Sequence, residues 1–160
     1  MNLIFGLSRH TSKFNIVSKI IELVEKKPYS HCYVRFTLKN TDMIFQASGL
    51  QVNMMSYDEF CSINTPVYEY EAELADTNHR ALIQWMLKKL GKPYSVAQLL
   101  RILLYKATGL KLGSDGQAEI CSQLVTQLCQ FLGLEQNVDA DYNDPAAFQE
   151  FCATNMKRIL

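Results

Sequence analysis

Between residues 30 and 38 the side chains alternate without a break: Cys32, Val34, Phe36 and Leu38 fall on one side and His31, Tyr33, Arg35 and Thr37 on the other. A period of two marks a half-buried strand. Four polar residues follow, Lys39-Asn40-Thr41-Asp42, and residues 43–47 resume as a second strand, with Gly49 at the next bend and residues 51–55 as a third short strand. With residues 39–42 as a four-residue loop, Leu38 pairs with Met43 and Gln46 pairs with Arg35. Gln46 then shares a face with His31 but stands roughly 13 Å from it along the strand. A bulge or strong coiling would have to close that gap, or Ser48, on the same face, would take its place.

The remaining periodicities extend this plan. Residues 2–7 read as a short strand. Residues 13–26 carry apolar positions at helical spacing, with Thr11 or Ser12 as cap and Pro28 as the stop. Residues 56–60 suggest one helical turn. Residues 67–74 alternate again, with Tyr68, Tyr70 and Ala72 inward and Glu69, Glu71 and Glu73 outward. The second half is helical: from Asp76 to about Leu90, from Ser95 to about Thr108 with Gly109 after it, and from Glu119 to Leu132 closed by Gly133. A last short helix opens with Asp144 as cap and Pro145 in the first turn. Strand, helix, antiparallel strands, then helices describe an α+β class, with an antiparallel sheet packed against helices. The 160 residues fit one domain, 1–160, with a single core.

Composition excludes several functions. Hydrophobic residues make up 48% and charged residues 20%, and 16 basic residues balance 16 acidic ones. Zero net charge supplies no pull toward nucleic acid. No window approaches a membrane span and no secretory signal is visible, so a cytoplasmic location is expected, with release by lysis equally open. Five cysteines, an odd number without C-x-x-C spacing, argue against a disulfide framework or a metal site and for free thiols. No cofactor motif is present. Four of the thiols are expected in the core.

Cys121 is the exception. It lies in the first turn of a helix after a Gly- and Ser-rich stretch, where the partial positive charge favours thiolate. Of the three histidines, His10 and His79 fall at exposed places. His31 opens a strand directly after a Pro28-Tyr29-Ser30 turn, a rigid mount at the sheet edge.

Taken together, these segments match a known pattern. Pro28-Tyr29-Ser30-His31-Cys32-Tyr33-Val34 resembles the Ser-His strand motif of circularly permuted NlpC-type papain-like cysteine hydrolases, the YiiX-like and lecithin–retinol acyltransferase-like group. Ile120-Cys121-Ser122-Gln123-Leu124-Val125 resembles their nucleophile-helix motif. Ile44-Phe45-Gln46-Ala47-Ser48-Gly49-Leu50-Gln51-Val52 resembles their second strand, and Gly91-Lys92-Pro93-Tyr94 the Gly-x-x-Tyr before the covering helix. The four segments occur in the family's order across about residues 1–152.

The resemblance implies a permuted papain-like fold, with Cys121 as nucleophile at a helix N-terminus and His31 as general base and acid. It implies Gln46 as the residue that orients the imidazole, in place of the more usual acid. Tyr94, Ser122 and the N–H of Cys121 are the implied substrate or oxyanion contacts. The implied reaction is cleavage of an amide or peptide bond through a thioacyl-enzyme. The alternatives are an acyltransferase or lipid ester hydrolase of the same fold, or a silent module that binds peptide or lipid. The substrates implied are peptide, peptidoglycan-type or acyl-lipid. Specificity is expected in residues 53–66 and 111–118, and the apolar helix from Ser95 to Thr108 reads first as a buried core helix and second as the lining of a hydrophobic substrate groove.

Overall fold

The computed structural model describes residues 2–12, 16–72, 74, 79–110, 112–113, 118–134 and 137–160. Its elements run β1 (Leu3–His10), α1 (Ile16–Glu25), β2 (His31–Leu38), β3 (Thr41–Ser48), β4 (Gln51–Ser56), α2 (Tyr57–Ile63), β5 (Asn64–Ala72), α3 (His79–Lys89), α4 (Val96–Thr108), α5 (Cys121–Phe131), α6 (Pro145–Asn155) and β6 (Lys157–Arg158). The six strands form one antiparallel sheet in the order β4-β3-β2-β1-β5-β6. This is the expected α+β class. The expected cap Asp76, residues 13–15 and most of the 111–118 stretch lie outside the described residues, and α1 is described from Ile16, so Thr11 and Ser12, the expected caps, stand four or more residues before it.

The β2–β3 connection is tighter than the sequence suggests. Leu38 pairs with Thr41, so only Lys39 and Asn40 turn, with φ of 48° and 66°. Two successive positive φ values are the signature of a type I′ hairpin, whose twist matches that of the strands. Thr41 and Asp42 belong to the strand. Register therefore moves by two residues, which keeps every side chain on its expected face and halves the distance between His31 and Gln46.

One face of the sheet carries the main core. Leu3, Phe5 and Leu7 of β1, Cys32, Val34 and Phe36 of β2, and Phe45 and Ala47 of β3 meet Leu124, Val125 and Leu128 of α5, Leu82 and Met86 of α3, and Phe148 of α6. α5 is buried along nearly its whole length. The other face was expected to be solvated, and this is corrected. α2 is two turns rather than one, capped by Ser56, which accepts from the Glu59 N–H. It lays Phe60 and Tyr57 over Tyr33 and Ile44.

Under that cover Glu69, expected to point into water, is only 4% exposed. Its carboxylate accepts from Tyr33 Oη at 2.8 Å and Tyr57 Oη at 3.3 Å, and pairs with Arg35 Nη2 at 2.7 Å. A buried charge needs such partners. Gly6 makes this reach possible. It sits between Tyr33 and Glu69 in register, and the Tyr33 ring crosses directly over it. A Cβ at Gly6 would lie 2.1 Å from Tyr33 Cζ. Gly6→Ala should therefore cost about 1–3 kcal/mol by overpacking, read as a lower midpoint in thermal unfolding. An unchanged midpoint would mean that the ring does not lie there.

Of the five cysteines, Cys61 is exposed rather than in the core. The helix from Ser95 begins and ends where expected and the last helix opens at Asp144 as expected, with Ser95 and Asp144 accepting the N–H of Gln98 and Ala147 and Gly109 closing α4 at φ 75°.

Candidate active site

The pairing of β2 with β3 runs from Leu38↔Thr41 to Val34↔Phe45 and stops, whereas its pairing with β1 continues to His31. At its first three residues β2 parts from β3. Alternation sends the side chains of His31 and Cys32 to opposite faces, so a group that meets both belongs at this open end. Cys121, the first residue of α5, is that group. α5 packs on β2 and β3, and the Cys121 thiol comes close enough to the Cys32 thiol and the His31 imidazole for both to act on its acidity.

These contacts set its acidity. The hydrogen bond from the Cys32 thiol is the largest influence and favours thiolate. Burial opposes it, and the hydrogen bond and charge of His31 add to it. The net effect holds the Cys121 thiol well below its ordinary value. Cys32 moves the other way: burial, then its bond to Cys121, pushes it well up, so it stays a thiol and a donor. The helix start adds to this. The first intrahelical bond runs from the Leu124 N–H to the Ile120 carbonyl, so the N–H groups of residues 121–123 precede the ladder and present positive charge.

His31 is oriented by a directional chain. Its Nε2 lies 2.6 Å from Gln46 Oε1. The Gln46 amide is turned by Asn53, whose Oδ1 accepts from Gln46 Nε2 at 3.2 Å while its own Nδ2 donates to the carbonyls of Ser48 and Gln51. Gln46 thus presents oxygen to the imidazole, Nε2 carries the proton, and Nδ1 is left for Cys121. Gln46 is opposite Tyr33 in the continued register and reaches His31 diagonally, which is ordinary for a long side chain. Ser48 does not make this contact.

Tyr94 stands on the far side. Residues 93–95 bridge β4 and the start of α5: Tyr94 N–H donates to Leu50, Glu119 N–H to Pro93 and Ser95 N–H to Glu119. Buried Glu119 anchors the segment through Lys89 at 2.6 Å and Lys92 at 3.0 Å. Burial, then the nearby thiols of Cys121 and Cys32, pushes the Tyr94 phenol above its usual value, so it keeps its proton at neutral pH. His31 and Tyr94 line a cleft of about 180 Å³ together with Ser30, Ser48, Gly49, Ser18, Ile21 and Val96. Cys121 is 3% exposed and is not itself among the lining residues. A larger cleft, about 490 Å³ between β5, β6 and α6, contains neither thiol nor imidazole.

His31, Gln46, Tyr94 and Cys121 are thus brought together. Ser122 is not: its side chain is fully buried away from the cleft, and its hydroxyl has no partner. Cys32 and Asn53 were missed. Alternation placed Cys32 on the core face, which it occupies, and gave no hint that Cys121 reaches both faces. Asn53 was within reach of a register argument, because the Gly49-Leu50 turn sets it opposite Gln46.

No family model and no curated protein matches the chain. Among solved structures it is similar to one described as the metalloprotein yiiX from Escherichia coli O157:H7, DUF1105. The TM-score is 0.50 at 18% identity, covering 99% of this chain and 94% of that one. That likeness extends to the fold. Among the described residues no three His, Cys, Asp or Glu side chains cluster as metal ligands, so no step is assigned to a metal.

Proposed function

We propose that the chain is a cysteine hydrolase that cleaves an amide or peptide bond through a thioacyl-enzyme. The observation that carries this reading is the placement of the Cys121 thiol beside an imidazole whose Nε2 is held 2.6 Å from Gln46 Oε1. Thiol, base and orienting residue, in that order, are the parts an activated nucleophile requires.

In this mechanism the Cys121 thiolate attacks the substrate carbonyl carbon and a C–S bond forms. The oxyanion is met by the Cys121 N–H and the Tyr94 hydroxyl. His31 Nδ1 delivers its proton to the leaving amine as the C–N bond breaks, leaving a thioester. Water then enters; His31 takes its proton, hydroxide adds to the thioester carbonyl, and collapse releases the acid and restores the thiolate. Gln46 holds the ring without a charge of its own, so the imidazolium is stabilised chiefly by the thiolate. Cys32 serves as a positioning residue that keeps the sulfur anionic between turnovers.

The test is direct. Ester, thioester and peptide-amide donors are offered in turn, and the intact protein is weighed by mass spectrometry. The expected result is an acyl adduct on Cys121 that decays with release of acid and is missing from Cys121→Ala. No adduct and no turnover from any of the three donor classes would remove the hydrolase reading.

A further inference from the structure

The rim of the His31 cleft is built from α1, the first residue of α4 and the β3–β4 turn. Each of these elements also presents large apolar side chains to solvent. On α4, Val96, Leu100 and Leu104 recur every fourth residue as one stripe, 52%, 59% and 41% exposed. On α1, Ile20, Leu23 and Val24 form a second exposed face, with Leu23 at 78%, while Ile21 packs inward against Leu99 and Ile102. At the turn, Leu50 is 89% exposed. Exposed apolar side chains scattered singly are ordinary, but a contiguous group around one opening marks an interaction surface.

The exposed charges on this side are in basic excess. Among the described residues of α4 there is no acid. On α1 and its C-terminal end Lys19 and Lys26 are exposed, and Glu22 is the acid that reaches solvent, Glu25 being buried against Lys106 at 2.7 Å. Arg9, His10, Lys19 and the single acid Glu22 line a groove of about 370 Å³ that shares His10 and Ser18 with the His31 cleft. A second copy of the chain docked about a two-fold axis would set this basic edge against itself. An anionic bilayer would instead take the apolar faces into its interface and meet the lysines and arginine with phosphate.

We propose that the α1–α4 face, with Leu50, is a docking surface for an anionic lipid bilayer, seating the mouth of the His31 cleft against the membrane. The surface does not depend on the thiol chemistry, so the two readings fail separately.

The experiment is co-sedimentation with vesicles of phosphatidylcholine alone and of phosphatidylcholine mixed with phosphatidylglycerol. The protein is expected to pellet with the mixed vesicles, less with the neutral ones, and less as salt screens the charges. Leu100→Glu combined with Leu104→Glu should lower the bound fraction about tenfold or more while circular dichroism and melting stay unchanged, because both side chains are exposed. Lys19→Glu with Lys26→Glu should remove only the increment due to phosphatidylglycerol, and Cys121→Ala should bind like wild type. Wild-type protein that stays in the supernatant with both vesicles overturns the proposal. So does a dimer in light scattering that Leu100→Glu with Leu104→Glu converts to a monomer without any change in vesicle binding, since a second copy would then be the occupant.

Discussion

His31→Ala should lower turnover by about 10²- to 10⁴-fold, the range a positioned acid–base group contributes, and leave the fold intact. Two steps of the proposed reaction use the imidazole: protonation of the leaving amine and activation of water. The ring also contributes to holding the Cys121 thiol low, through a hydrogen bond and through charge. Its loss therefore acts on the nucleophile and on the leaving group together. The structural cost is small, because His31 is the first residue of β2, its side chain is half-buried at the cleft wall, and its backbone pairing with Ser8 does not need the ring. Activity measured alongside thermal melting separates the two effects. A loss of activity accompanied by an equal loss of folded protein would assign His31 a structural role only.

Glu69→Ala should be the most damaging single change to stability, about 3–5 kcal/mol, because it leaves the partners of a buried charge uncompensated. Arg35 would keep Asp42 as its ion partner, at 3.3 Å and more exposed, and its place over the Tyr57 ring. The Tyr33 hydroxyl, pinned under Phe60 with ring centroids 4.5 Å apart, would lose its acceptor. Burial, then the Glu69 charge and its hydrogen bond, already pushes that phenol far above its usual value. The row Tyr33–Gly6–Glu69 ties β2, β1 and β5 together two residues from His31, so the melting midpoint and the active fraction should fall together. Glu69→Gln, which keeps an acceptor for Tyr33 but not the charge, should lose less. Denaturant titration measures both variants; equal small losses would mean that the Glu69 charge contributes little.

Much of this architecture was legible because hydrophobic period reports which face of an element is buried. The strands β1 to β4, the helix from Ser95 to Gly109 and the Asp144-Pro145 start all follow from local patterns with a clear physical cause. The pairing of His31 with Gln46 survived an error in loop length, because a register change of two residues preserves the faces. What could not be read depends on parts far apart in sequence. Glu69 reads as a solvated strand residue until α2 is folded over it. Cys32 reads as a core thiol, and it is one, but the parting of β2 from β3 brings the same thiol close enough to Cys121 to act on its acidity. Ser122 had the right neighbours in sequence and the wrong side of the helix.

The claim that Cys121 is an activated thiol is tested most directly by the pH dependence of its alkylation. Iodoacetamide labelling is followed by peptide mass spectrometry, with exposed Cys61 of the same molecule as the internal reference and each profile normalised to its own plateau. That normalisation removes the slowing that burial causes. In wild-type protein the Cys121 profile should rise at distinctly lower pH than that of Cys61, and His31→Ala and Cys32→Ala should each move it upward. A Cys121 profile that coincides with that of Cys61 or lies above it, and that neither substitution moves, would contradict the account.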